Sequence, residues 1–243
     1  MMIKSSVVIL IGILSIQQSL DAFKIRSLNS RPKLESRAIQ HFGINCLLNR
    51  YLQHEFELGM EYLNASIYMR HDRVALHGFG KMFKKFWQTQ VNHVEKISDY
   101  IVHRGGSLET PSYRFYNTLN QFDYFANESS IVRKFLNAEK RLNRYLLELH
   151  QATSQNRTEI YCVQKYNERL RGFYELPSEN DVYSAHFLDE NLVSHKVHRI
   201  KYMADLFRKI IRFDQHPGNV AGVSHNLNQI GIHLLDKELD EKF

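Results

Sequence analysis

The chain carries only four prolines, at positions 32, 111, 177 and 217, and their scarcity constrains the fold more than any other feature. A proline inside a helix removes a backbone donor and clashes with the preceding turn, so each one marks where a helix cannot run. Glycine is also sparse, with 11 in 243 residues. Long uninterrupted elements are expected, and a sandwich built on many tight turns fits poorly. Between the prolines, apolar residues recur at spacings of three, four and seven, the signature of a helix with one buried face. The first helix reads from about Ile44 to Met69, on Leu48, Leu52, Phe56, Leu63 and Ile67. A polar break, His71-Asp72-Arg73, opens a second from about Val74 to Val102, ended at Arg104-Gly105-Gly106, where glycine can supply a left-handed cap. A third runs from about Ser129 to Ala152. The fourth runs from Val182 to Arg212, with Phe187, Val193, Val197, Ile200 and Phe207 on one face, and a short fifth covers Val223 to Leu239. The connection over 107–127 is long enough to cross the body of a domain. Two hairpins joined by one such crossover make an all-α four-helix bundle with a short fifth C-terminal helix.

Composition bounds the rest. With 43% hydrophobic and 24% charged residues the chain has the balance of a globular protein, not of a disordered one. Its formal charge of +6 is mild. It lacks a Lys/Arg stripe interleaved with aromatics, so nucleic acid is not an expected partner. Residues 1–22 read as a signal peptide: Lys4, an apolar run from Val7 to Ile16, then small and polar residues up to Ala22. That run is about ten residues, against roughly 20 for a membrane-spanning helix, so no membrane span is expected in the mature chain. Residues 23–43 form an N-terminal extension and 44–240 the folded domain. The expected location is outside the cell or in the secretory lumen. Two cysteines, Cys46 and Cys162, are then disulfide candidates. Three Asn-x-Ser/Thr sequons begin at Asn64, Asn127 and Asn156. Asn127 and Asn156 fall at helix ends or loops and are the glycosylation candidates, whereas Asn64 lies inside a helix.

Four residues stand out for chemistry. Glu55 and Tyr62 are seven apart on the first helix and share a face. His93 sits midway along the second helix and Glu139 on the third. Two carboxylates, a phenol and an imidazole turned into a bundle interior are costly unless they bind something or pair with one another.

The run LNRYLQHEFELGMEYLNASIYMRHDRVALHGFGKMF, continuing to VEKISDYIVHRGGSL, resembles the first hairpin of the ferritin family without a gap. AEKRLNRYLLELHQAT (138–153), HFLDENLVSHKVHRI (186–200) and HLLDKEL (233–239) are similar to its third, fourth and fifth helices. The likeness spans nearly all of 44–240 and implies a ferritin-like diiron domain of a secreted, insect-type subunit. By that resemblance Glu55, His93 and Glu139 are metal ligands for iron (Fe2+/Fe3+), and Tyr62 is the nearby catalytic tyrosine. Two positions are weakened. The bridging carboxylate is Gln90, and the helix-four glutamine is Asn191. A neutral amide holds hard cations poorly, so the centre reads as degenerate. The family's cavity-side carboxylates correspond to Lys85, Gln88, Thr89 and Asn92, with only Glu95 acidic. Its channel positions correspond to Asp181, Ser184 and His150, beside an insertion near 160–180. The topology also brings Cys46 and Cys162 to one end of the bundle, where a disulfide within or between subunits is open.

The resemblance implies a secreted ferritin subunit that stores or transports ferric iron in a homo- or hetero-oligomeric cage of other ferritin subunits, a 24-mer. It would be of the light-chain type, structural, with a catalytic partner subunit. The alternatives are a working ferroxidase on the retained ligands, and a secreted bundle that acts by binding a partner and no longer handles iron.

Overall fold

The computed structural model describes residue 42 and residues 44–112, 127–154, 181–214 and 223–243. All belong to one unit, Ile39–Phe243. Among the described residues there are five helices: α1 (Asn45–Met69), α2 (His77–His103), α3 (Glu128–Ser154), α4 and α5 (Val223–Lys242). Helix α4 is built in three parts, with α-helix over Val182–Leu188, a π-helical turn over Asp189–Val193 and α-helix again over Ser194–Asp214. The described residues contain no strand. None of their helices is long and apolar enough to cross a membrane.

Side-chain contacts give the directions. Asn49 near the start of α1 bonds Ser107 and Glu109 beyond the end of α2, while Ser66 bonds Gly80 near the start of α2. These two helices therefore run antiparallel. Glu61 pairs with Lys134, and His54 stacks on Tyr145, so α3 is antiparallel to α1. His150 meets Asp189 and Glu139 meets Lys196, so α4 is antiparallel to α3. It follows that α2 and α3 are parallel, and that the end of α2 and the start of α3 lie at opposite ends of the bundle. That is the one-crossover arrangement expected from the sequence.

The ends of α2 show why it stops where it does. Gly105 sits at φ 68°, and the amides of Gly105 and Gly106 bond the carbonyls of Val102 and Ile101. This is the glycine-capped ending the sequence predicts. At the other end the expectation was off by three residues. Ala75 takes a φ of 52°, which helical backbone does not allow, so the turn over 72–74 is followed by two non-helical residues and α2 begins at His77. No side chain of its own turn caps that start. Instead Asp236 of α5 accepts from the Phe79 amide at 2.9 Å. Gly78 allows this close approach, because a Cβ there would lie 1.9 Å from the Asp236 carbonyl oxygen.

The core is apolar over most of its length, with Leu48, Leu52, Phe79, Met82, Phe83, Phe135 and Leu146 all fully buried. The face expected for α4 needs correction. Phe187, Val193, Ile200 and Phe207 are only partly buried, and Val197 is 54% exposed. The buried residues are Ser184, Leu188, Leu192, Lys196, Arg199, Met203, Leu206 and Ile210. The first four are spaced by four. Each such step on a regular α-helix overshoots a full turn by about 40°, so three steps would carry the stripe about 120° away from the core. The π-helical turn takes up one extra residue and removes that drift. It also decides which side chains α4 sends into the bundle.

A buried charge cluster at the candidate metal centre

Midway along the bundle the apolar packing is interrupted by a cluster of polar side chains from all four long helices. Helix α1 supplies Tyr51, Glu55 and Tyr62, α2 supplies Gln90 and His93, α3 supplies Glu139, and α4 supplies Lys196 and Arg199. Glu55, Tyr62, Gln90 and Glu139 are completely buried, and Lys196 is 1% exposed. Glu55, Tyr62, His93, Glu139 and Gln90, singled out in the sequence, thus lie in one cluster.

What they surround is an ammonium group. Lys196 Nζ lies 2.9 and 3.0 Å from the two oxygens of Glu55 and 3.1 Å from Glu139 Oε2. It also donates to Gln90 Oε1 at 3.4 Å. The other Glu139 oxygen accepts from Tyr62 OH at 2.7 Å and from Arg199 Nη1 at 3.3 Å. Tyr51 OH donates to Glu55 Oε1 at 2.5 Å. Every carboxylate oxygen in the cluster is therefore engaged by a protein donor. Two carboxylates face two cations, so the interior charge closes on itself, the condition under which buried ions are tolerated.

The electrostatics follow. Burial alone would raise the Glu55 carboxyl, but the Lys196 ammonium, His93 and the Tyr51 hydroxyl outweigh it and hold the group down at about 2. Burial opposes charge on Arg199 too, and is overcome chiefly by Glu139, so its guanidinium is held above its ordinary value. The two phenols move the other way. Burial, then the neighbouring carboxylates, push Tyr51 and Tyr62 well above the usual tyrosine range. Arg199 also lies 4.8 Å from the Phe86 ring centroid, a cation–π contact that holds its plane in the core.

Within the cluster two buried atoms keep unused capacity, Gln90 Nε2 and His93 Nδ1. His93 Nδ1 stands 3.7 Å from Glu55 Oε1, too far for a hydrogen bond. Among the described residues no group of three or more His, Cys, Asp or Glu side chains is placed to hold a metal ion. The donor set as arranged fits one ammonium better than a pair of metal ions.

Other expectations resolve individually. Asn191 sits in the π-helical turn and does not reach the cluster: it accepts from Lys96 Nζ at 3.3 Å and donates to the Phe187 carbonyl. Asp181 caps the start of α4 through the Ser184 amide and makes two 3.1 Å bonds to Arg104. His150 pairs with Asp189 at 3.2 Å. Lys85, Gln88, Asn92 and Glu95 are exposed on α2. Cys46 lies in the first turn of α1 and is not a free thiol. Cys162 and Asn156, the 160–180 insertion and residues 1–41 lie outside the described residues.

Lys196, Arg199 and Tyr51 were not anticipated. A signal for the first two exists: both lie on the stripe that continues from Ser184, Leu188 and Leu192 to Met203 and Leu206.

Comparison with known proteins places this geometry in context. The model of the ferritin-like domain matches residues 45–163. The chain is 26% identical to "Ferritin, lower subunit" of Aquarana catesbeiana over 193 residues, covering 76% of this chain and 93% of that protein. It is 26% identical to "Ferritin-3, chloroplastic" of Glycine max over 202 residues, 82% of this chain and 67% of that one. Against "Ferritin-4, chloroplastic" of Arabidopsis thaliana the identity is 24% over 187 residues, 75% of this chain and 62% of that one.

Proposed function

We propose that the chain, which is similar to ferritins over most of its length, is a shell-building subunit of an iron-storing multi-subunit cage that leaves iron oxidation to a catalytic partner subunit. One observation carries the reading: Lys196 Nζ stands between Glu55 and Glu139, at 2.9 and 3.1 Å, where the resemblance puts iron ligands. A divalent ion entering that space would have to displace an ammonium already held by three acceptor side chains and then leave it buried without them. Gln90 adds no charge to help the ion compete. Tyr62, which keeps its proton and donates it in a hydrogen bond to Glu139, and whose ionisation burial opposes, is not available as an anionic ligand.

The rest of the proposal concerns assembly and address. The subunit works in a cage, a 24-mer by family resemblance, co-assembled with a subunit that retains the oxidation chemistry, and iron is its cargo. The N-terminal pattern, a charged start followed by a short apolar run, supports passage through the secretory pathway. A Cys46–Cys162 disulfide fits that oxidising route, and Cys46 carries no free thiol.

The test is reconstitution. The purified chain, a catalytic ferritin subunit, and the two together are each given ferrous iron in air, followed by size-exclusion chromatography with metal analysis. The mixed cage should oxidise and retain iron at the rate set by its catalytic subunits, while the chain alone oxidises no faster than buffer. Failure of the chain to enter any large assembly would overturn the shell role.

A further inference from the structure

Of the three sequons, the structure separates two. Asn64 lies inside α1, toward its C-terminal end, and the hydroxyl of its sequon, Ser66, is fully buried and donates to the Gly80 carbonyl at 2.8 Å, tying α1 to α2. Asn127 is different in each respect. It is exposed and stands immediately before α3. Its Oδ1 accepts from the Ser130 amide at 3.1 Å and from the hydroxyls of Ser129 and Ser130 at 2.9 and 2.8 Å. The carbonyl half of the side-chain amide thus caps the helix, and the planar group turns Nδ2 away from it. Among the described residues Nδ2 has no partner.

We propose that Asn127 Nδ2 carries an N-linked glycan. In the transfer, Nδ2 attacks C1 of a lipid-linked oligosaccharide. The Nδ2–C1 bond forms, the bond from C1 to the diphosphate oxygen breaks, the lipid diphosphate leaves with that electron pair, and the one proton that Nδ2 gives up passes to the departing diphosphate or to water. The product keeps Oδ1 as an acceptor, so the glycosylated side chain still caps α3, and modification costs the fold no hydrogen bond. At Asn64 a glycan would have to be carried from mid-helix beside a serine that the α1–α2 contact uses. A bulky, hydrated group at Asn127 also requires the start of α3 to face solvent in any assembled cage.

This inference rests on the secretory routing proposed above, and the experiment keeps the two apart. The full chain is expressed in secreting animal cells in two forms, one with its own N-terminus and one with residues 1–22 replaced by a leader of proven export. Secreted protein is treated with peptide N-glycosidase in 18O water, which labels each formerly glycosylated asparagine, and the peptides are weighed. The expected result is a label at Asn127 and none at Asn64. Asn127→Asp should abolish that label and leave the thermal midpoint unchanged, because aspartate caps as well as asparagine does. If only the leader-swapped form is exported and it is labelled at Asn127, the routing fails and this inference stands. An exported form with Asn127 unlabelled overturns it, as does a label at Asn64 instead.

Discussion

At the scale of single residues, one ammonium group decides the chemistry of the interior. Lys196 holds Glu55 and Glu139 together, and its removal leaves two buried carboxylates facing one guanidinium. Lys196→Gln should destabilise the bundle by about 3–5 kcal/mol, the usual cost of breaking a buried ion pair, measured as a fall in the denaturant midpoint. The same variant should gain affinity for a divalent probe such as Zn2+, seen by titration calorimetry, and lose it again when Glu55→Gln is added. A Lys196→Gln protein as stable as the parent, with no affinity for Zn2+, would contradict that assignment. Acid stability reads the same contacts. The folded-state value of Glu55 is about 2 against an ordinary 4.5. Its contribution is therefore fully present above about pH 4.5, and it is lost as pH falls through about 2. The size is about 3 kcal/mol at neutral pH. Denaturation midpoints measured from pH 6 to pH 2 should fall less steeply in Glu55→Gln than in the parent.

At the scale of elements, the π-helical turn in α4 aligns Lys196 with Leu188 and Leu192. Deleting one residue of that turn, Asn191, should let α4 run as regular helix with Lys196 still facing inward. The variant is expected to keep the parent's thermal midpoint within a few degrees and to gain no affinity for Zn2+. A variant that binds Zn2+ and melts early would mean the turn plays another part. This turn also explains what the sequence concealed. Helical periodicity located all five helices, but it assumed about 100° per residue throughout, and over α4 it selected Phe187, Val193 and Val197, one position away from the buried stripe. Lys196 and Arg199 fall outside that selected face, although both are buried. Glu55, Tyr62, His93 and Glu139 were legible because α1, α2 and α3 are regular. The second element-scale feature is the seat of α5 on the start of α2, where Asp236 replaces a missing cap. Gly78→Ala inserts a methyl group against that backbone and should release α5. Limited proteolysis should then cut within Val223–Lys242 before it cuts the remaining helices.

At the scale of the whole molecule, the bundle is a ferritin-like scaffold whose interior is neutralised by its own side chains. A scaffold alone does not fix an activity, so the function rests on the cluster. Burying Lys196 and Arg199 against two glutamates retains the polar core that the resemblance associates with metal and makes it independent of metal. A chain built this way should fold fully without iron and take it up only in company. The measurement that tests this most directly is stopped-flow oxidation of ferrous iron by the purified chain alone, with Glu55→Gln and His93→Ala run beside it. The predicted result is slow oxidation, no faster than buffer, and indistinguishable among the three proteins. A fast phase that saturates with added iron and disappears in either variant would show that iron displaces Lys196, and that this chain is itself a ferroxidase.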